Sequence, residues 1–385
     1  MAKFNLSEKN IIEWRRHLHR HPELSFQEHE TAKYVYDILA SFGAYELEQL
    51  TPTSIIATLQ GTKTGKTIAL RADMDALPIE EEADVAFKSE NAGVMHACGH
   101  DAHTAILLGV AEALAQMKEQ LSGTIKLIFQ HAEELVPGGA RELVAAGVMD
   151  GVDYVFGLHV FPLQKTATIG YHVGALTAAS DVFTLKIQGR GAHGSMPDLS
   201  IDPINIGVEI INSLNHIISR EVNPFDTAVL SIGKFESGNA ANVIPDTAEI
   251  LGTIRTLNQD TRQLIAKRIE ATVHNICDIY GATYDLEYTF GYDSVQNNQT
   301  ATDIVIEAAK KIVPVEDIIE VPTMMGGEDF SAYTNVREGS FFTLGVGEAK
   351  DGYGYINHHP KFKIDETAFI TGAETFIQIV LDLLG

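Results

Sequence analysis

Apolar residues recur at helical spacing through EKNIIEWRRHLHRH (8–21) and ETAKYVYDILASFG (30–43), the second run stopping at Gly43. That periodicity predicts two amphipathic helices, with glycine ending the second. Two short β-branched runs follow, TSIIATLQG (53–61) and KTIALRAD (66–73). After them come a helix from about Asp101, a strand GTIKLIFQHA (123–132), a helix GARELVAAG (139–147) and a strand DYVFGLHV (153–160). Strands alternating with helices predict an α/β sheet with helices on both faces, a class whose ligands gather where strands end.

The middle of the chain has a different rhythm. SDVFTLKIQGRG (180–191) alternates as a strand, and SIDPINIGVEIINSLNHIISREV (200–222) reads as one long amphipathic helix. Strands DTAVLSIGKFESG (226–238) and DTAEILGTIRTL (246–257), a helix near 260–281 and a strand TYDLEYTFG (283–291) complete the segment. The order β-α-β-β-α-β matches the ferredoxin-like split motif, which folds as a small α+β domain. A helix (300–312), a strand (340–347) and a helix (365–385) can then rejoin the first sheet. The expected organisation is a catalytic domain from residues 1–177 and 293–385, with an inserted domain at 178–292.

Two domains suit a chain of 385 residues. A net charge of −24 excludes the basic footprint of a nucleic-acid binder. The opening MAKFNLSEKNIIEW has no apolar stretch of a secretory signal, and AILLGVAEALAQM is interrupted by Glu112 before it reaches the length of a membrane span. Two cysteines, Cys98 and Cys277, cannot make a disulfide framework. A reduced, cytoplasmic protein without membrane or nucleic-acid partners is expected.

The chemistry-bearing stretches sit at predicted strand exits. HACGHDAH (96–103) places Cys98 and His100 in a loop before a helix, with Asp101 read as the helix N-cap and as an acceptor for a nearby imidazole. HAEEL ends a strand with Glu133 and Glu134. Consecutive residues on an extended chain point oppositely, so a turn is required for one carboxylate to bind a metal while its neighbour faces water. That pairing of ligand and general base is what metal-assisted hydrolysis needs. His159 closes another strand, and one of His358 and His359 in NHHPKF could reach the same centre. In RRHLHRHPE, His17 and His21 share a helical face while His19 points elsewhere, and no third ligand is near; a solvated or packing role is expected for all three. Five N, O and S donors exceed one tetrahedral site and suit two metals sharing ligands.

These motifs resemble the amidohydrolase branch of the aminoacylase-type metallopeptidases, peptidase family M20, which includes auxin-conjugate hydrolases, hippurate hydrolase and N-acetyldiaminopimelate deacetylase. The resemblance runs through RRHLHRHPELSFQE, ALRADMDALPIEE, MHACGHDAHTA, GLHV, GRGAHGSMPDLSIDPI, NVIPDTAEILGTIRT, GGEDFSAY and HHPKFKIDE. It implies a two-metal exopeptidase-like catalytic domain with an inserted lid or dimerisation domain. It also implies Cys98, His100, Glu134, His159 and His358 as metal ligands, Glu133 as general base and Asp75 as an orienting carboxylate. His193 corresponds to a histidine that addresses the substrate carbonyl, sometimes across a dimer. Asn242, Arg255 and the backbone of Gly327 correspond to substrate contacts. Asp73 stands where related branches have a histidine ligand and is not itself expected to ligate. His131 replaces the proline usual before AEE.

The expected activity is hydrolysis of N-acyl amino acids by two divalent ions (Zn, Mn, Ni or Co), in a homodimer or higher homo-oligomer, with the site completed by closure or dimer contact. A dipeptidase uses the same chemistry on a different leaving group. A cysteine hydrolase built on Cys98 and His100 would leave Glu133, Glu134 and His159 without a purpose. A non-catalytic metal-binding protein would have no use for Glu133 and His193.

Overall fold

The computed structural model describes residues 4–385; Met1–Lys3, the start of the opening segment read above, lie outside the described residues. The chain clusters into two compact units. One is built from the stretch up to Leu176, Val295–Thr323 and Asp329–Gly385; the other comprises Thr177–Ser294 and Met324–Glu328. The short return Met324–Glu328, read from sequence as part of the outer domain, is packed with the second unit: Ala178 N–H donates to the Gly326 carbonyl at 3.1 Å.

The first unit opens with α1 (Glu8–Arg20), capped by the Ser7 side chain, and α2 (His29–Ser41). Strands β1 (Glu46–Glu48), β2 (Ile55–Gln60) and β3 (Lys63–Asp73) precede α3 (His100–Met117). There follow β4 (Ser122–Gln130), α4 (Gly139–Ala145), β5 (Tyr154–Phe161) and β6 (Ile169–Tyr171). The second unit supplies β7 (Ala179–Gln188), α5 (Pro203–His216), β8 (Ala228–Ser237), β9 (Thr247–Thr256), α6 (Gln259–Tyr280) and β10 (Thr283–Thr289). The chain then returns as α7 (Gln299–Ala309), β11 (Ile318–Glu320), β12 (Glu338–Gly345) and α8 (Phe369–Leu384).

An eight-stranded sheet in the order β1-β2-β4-β3-β5-β12-β6-β11 forms the first unit. Its centre is parallel: β3 pairs with β4 and with β5, and β5 with β12. Asp73 stands opposite Gln130, and His159 opposite Thr343, so the carboxyl ends of these strands share one rim. Strands buried on both faces explain their continuous apolar runs, such as Ile68–Leu70 and Leu127–Phe129. Helix α3 is buried almost all round through Ala102, Ala105–Leu108 and Val110. The final helical stretch, Glu366–Leu384, is apolar and long enough to cross a membrane, but 67% of its most apolar window is buried against this core.

The second unit is a four-stranded antiparallel sheet in the order β8-β9-β7-β10. Its connectivity is the split motif expected from the element order. Ile206, Ile210 and Leu214 of α5, and Ile265, Ile269 and Val273 of α6, cover Phe183, Leu185, Ile187 and Ile250 on one face of the sheet. Asp202 and Asn258 cap the two helices, each accepting from two backbone amides. The long helix expected to reach residue 222 stops as an α-helix at His216 and continues as a wider turn, Ile217–Glu221. Phe183 lies fully inside this small core. Phe183→Ala should therefore cost about 3–5 kcal/mol, read as a lowered urea midpoint with an unchanged slope.

Candidate metal centre

The loop that ends in α3 sets the first donors. The helix begins one residue earlier than its sequence suggests. Gly99, at φ 99°, is the N-cap, and Asp101 lies inside the first turn, so the capping role expected of Asp101 is not what it does. Its carboxylate is instead buried against Arg15 Nε at 2.8 Å and His19 Nδ1 at 2.8 Å. The imidazole partner expected for Asp101 is thus His19, which also reaches Glu81 at 3.1 Å. Gly99 is required for space as well as for φ: an added Cβ would come within 2.4 Å of Val160 Cγ2.

His100 is fully buried. Its Nδ1 faces two acceptors, the Asp75 carbonyl at 2.9 Å and Asp75 Oδ1 at 3.2 Å, so it carries the proton. Nε2 is left as a buried nitrogen without a hydrogen-bond partner, aimed among donors. His159 is fixed likewise, its Nδ1–H on the Val160 carbonyl at 2.8 Å and its Nε2 3.4 Å from Cys98 Sγ. His358, at φ 67°, places Nε2 3.2 Å from Glu134 Oε1. Its N–H donates to the Ala97 carbonyl at 2.8 Å, and Asn357 Nδ2 to the Cys98 carbonyl at 2.9 Å, tying the loop that bears His358 to the loop that bears Cys98.

Among the described residues five triads of candidate donors lie close together, one of them Asp73, His100 and His103, and three overlap through Cys98, His100 and Glu134. Cys98, His100 and His159 present donors within 4.8 Å of one another, as do Cys98, Glu134 and His358, and as do His100, Glu133 and Glu134. An unpartnered imidazole nitrogen amid thiol, imidazole and carboxylate donors fits a divalent cation site. The electrostatics agree. Against burial, the Asp73 charge and the Asp75 hydrogen bond raise His100 well above the usual imidazole range. Contacts with Cys98 and Glu134 push His358 up to about 10. Burial, reinforced by His103, holds His159 well below the ordinary value and so in the neutral form that ligates. Both raised imidazoles reflect the acidic groups gathered around them.

Neighbouring groups are spoken for. His103 Nε2 accepts from Val160 N–H at 2.8 Å and its Nδ1 pairs with Asp73 Oδ1 at 2.6 Å, while Asp73 Oδ2 takes Arg71 at 2.5 Å. His131 is buried with Nε2 3.1 Å from Glu142 and Nδ1 3.3 Å from Thr51, so the residue in proline's place turns its nitrogens to those side chains. His17 stacks on Tyr34, with centroids 3.9 Å apart, the packing role expected of it. His19, set aside with it, is buried between Asp101 and Glu81; its partner Asp101 lies too far along the chain for spacing to reveal the pair.

The remaining candidates lie in the second unit. His193 is exposed on a two-residue strand paired with Val243–Ile244. Ser195 N–H donates to its Nδ1 at 3.2 Å, which leaves Nε2–H as the outward donor. The Asn242 carbonyl accepts from Gly194 N–H at 2.9 Å. Arg255, half-buried on β9, donates to Thr253 Oγ1 at 2.5 Å and to the Ile254 carbonyl at 2.9 Å. Gly327 lies against Ser180, whose Oγ would be 2.8 Å from an added Cβ.

The model of peptidase family M20/M25/M40 matches residues 69–382. The chain belongs to this family. An N-acyl-L-amino acid amidohydrolase of Geobacillus stearothermophilus is 49% identical over 288 residues, 75% of this chain and 78% of the relative. Thermostable carboxypeptidase 1 of Saccharolobus solfataricus is 42% identical over 367 residues, 94% of this chain and 92% of its own. Among solved structures, the YXEP protein of Bacillus subtilis, described as a dinuclear metal binding peptidase from M20 family, superposes with a TM-score of 0.84 at 36% identity, covering 98% of each chain. The M20 chain is thus a hydrolytic enzyme that cleaves amide bonds with divalent metal. Because Gly99 sets both the backbone and the clearance behind Cys98 and His100, Gly99→Ala should cost about 1–2 kcal/mol from the backbone alone. It should also weaken metal retention by about 10–100-fold, read by competition with a chromogenic chelator.

Proposed function

We propose that this M20 enzyme hydrolyses the amide joining an acyl group to an amino acid, using two divalent cations held by Cys98, His100, Glu134, His159 and His358, with Glu133 as general base. The observation that carries this reading is the sharing of donors: Cys98 belongs to two triads, and Glu133 belongs to a third with His100 and Glu134. Cations bound there supply Lewis acidity, acidifying a water molecule and polarising the scissile carbonyl. The mix of thiol, imidazole and carboxylate suits zinc and accepts manganese, cobalt or nickel.

Glu133 takes the proton from the attacking water and returns it to the departing amine. Asp75 orients the centre from behind, holding the His100 tautomer with one oxygen and Glu134 N–H with the other, the latter at 2.9 Å. His193 offers its Nε2–H to the developing oxyanion, a contribution of about 3 kcal/mol for a well-placed donor. Arg255, with Asn242 and the Gly327 backbone, binds the amino-acid portion, the guanidinium facing its free carboxylate. The domains are assigned as catalytic (1–177 and 293–385) and lid or dimer surface (178–292). On the latter, the edge strand β8 leaves Val229 and Phe235 exposed.

The amidohydrolase relative favours an N-acyl amino acid, and the carboxypeptidase relative keeps a short peptide as the second reading. A panel of N-acetyl amino acids, N-benzoyl amino acids and dipeptides separates the two. A cysteine hydrolase is disfavoured because it leaves Glu133, Glu134 and His159, whose donor atoms lie close to those of Cys98 and His100, without a role. Glu133→Gln should keep the wild-type metal content by elemental analysis while turnover falls about 10²–10⁴-fold. Retained turnover in that variant would refute the base assignment.

A further inference from the structure

The two adjacent carboxylates pose a backbone problem. Strand β4 ends at Gln130, and on a straight continuation Glu133 and Glu134 would face opposite ways. Both lie in one triad with His100. The chain makes this possible at Ala132, which has φ 50°. That left-handed conformation costs a residue other than glycine about 1–2 kcal/mol, and it persists only where the surroundings enforce it.

Glu28, the last residue of HPELSFQE, does the enforcing. Its side chain is fully buried, and Oε1 accepts Ala132 N–H at 2.8 Å. The same oxygen accepts Phe26 N–H at 3.0 Å, and Phe26 is a second left-handed residue, at φ 65°. The Phe26 ring meets His131 edge-on at 5.5 Å, so the loop before α2 is pressed against the residue that precedes Ala132. On the far side of Glu133, Asp75 holds Glu134 N–H. Two buried carboxylates thus bracket the general base through the amides on either side of it.

We propose that Glu28 is a positioning residue for the Glu133–Glu134 pair, its Oε1 fixing the left-handed turn at Ala132 that sends both carboxylates to the metal centre. The inference rests on the roles given above to Glu133 and Glu134. Burial and the nearby Asp75 charge push the Glu28 carboxyl up to about 7. Oε1 accepts both amides whether or not the carboxyl is protonated, so glutamine is a fair mimic and the shorter aspartate is not.

The test compares E28Q, E28A, E28D and E28A/A132G with wild type. It measures Zn²⁺ affinity of the metal-stripped protein by chelator competition, and kcat on the best substrate of the panel. E28A and E28D should each lose about 10–100-fold in metal affinity and in kcat, and E28Q should restore most of both. Glycine adopts positive φ without the Cβ penalty, so A132G in the E28A background should recover several-fold of the loss. General damage to the core would not respond to that change. Should E28A fail to fold, E28D, which retains the charge, carries the same comparison. Wild-type affinity and turnover in E28A or E28D, or an E28Q as impaired as E28A, would overturn the proposal. So would a loss that A132G leaves untouched. If Glu133→Gln kept full turnover while E28A still lost metal affinity, the base assignment would fall and the positioning of Glu134 would stand.

Discussion

The proposed centre depends on one constraint: side chains from four distant stretches must bring donor atoms to one place while their other polar atoms are held by the protein. His100 shows how this is met. Asp75 captures Nδ1, which forces the lone pair of Nε2 inward, and complete burial keeps water from satisfying it. The Val160 carbonyl does the same for His159, and backbone contacts to Ala97 and Cys98 seat the loop bearing His358. The parallel register of β3, β4, β5 and β12 makes the convergence possible, because strands running the same way deliver their exits to one edge.

The price of this arrangement is a shell of buried charge. Arg71 pairs with Asp73 and, at 2.8 Å, with Asp329, while Gln130 bonds to both Arg71 and Asp329. Arg15 reaches Asp101 and, at 3.2 Å, Glu366. Such pairs do little for stability relative to apolar packing, since desolvation offsets most of their attraction. Here they fix orientation. Asp73 sets the His103 tautomer, and His103 in turn holds Val160 N–H beside His159. Their single geometry is what a preorganised centre requires.

How much of this the sequence disclosed follows from the range of each interaction. Alternation and helical spacing are local, so the element order and the split βαβ arrangement of the second unit were legible. So was the placement of Glu133, Glu134 and His159 near strand ends and of Cys98 in the loop before α3. Strands of three residues, such as Ile169–Tyr171 and Ile318–Glu320, are too short to show a period. Asp101 matched the residue type of an N-cap but was outcompeted by Gly99, whose positive φ no residue count reveals. His19 and Glu28 act through partners 82 and 104 residues away, and Glu28 acts on a backbone angle. Only coordinates expose such roles.

The central claim is that five side chains and no others surround a pair of cations. It is tested most directly by anomalous diffraction from crystals of the zinc-loaded protein, with data collected above and below the zinc edge. The account predicts two peaks per chain, at about 2.0–2.3 Å from donor atoms of Cys98, His100, Glu134, His159 and His358, with the Glu133 carboxylate uncoordinated beside them. A map with no peak in that cluster, or with its density between Asp73 and His103, would contradict it.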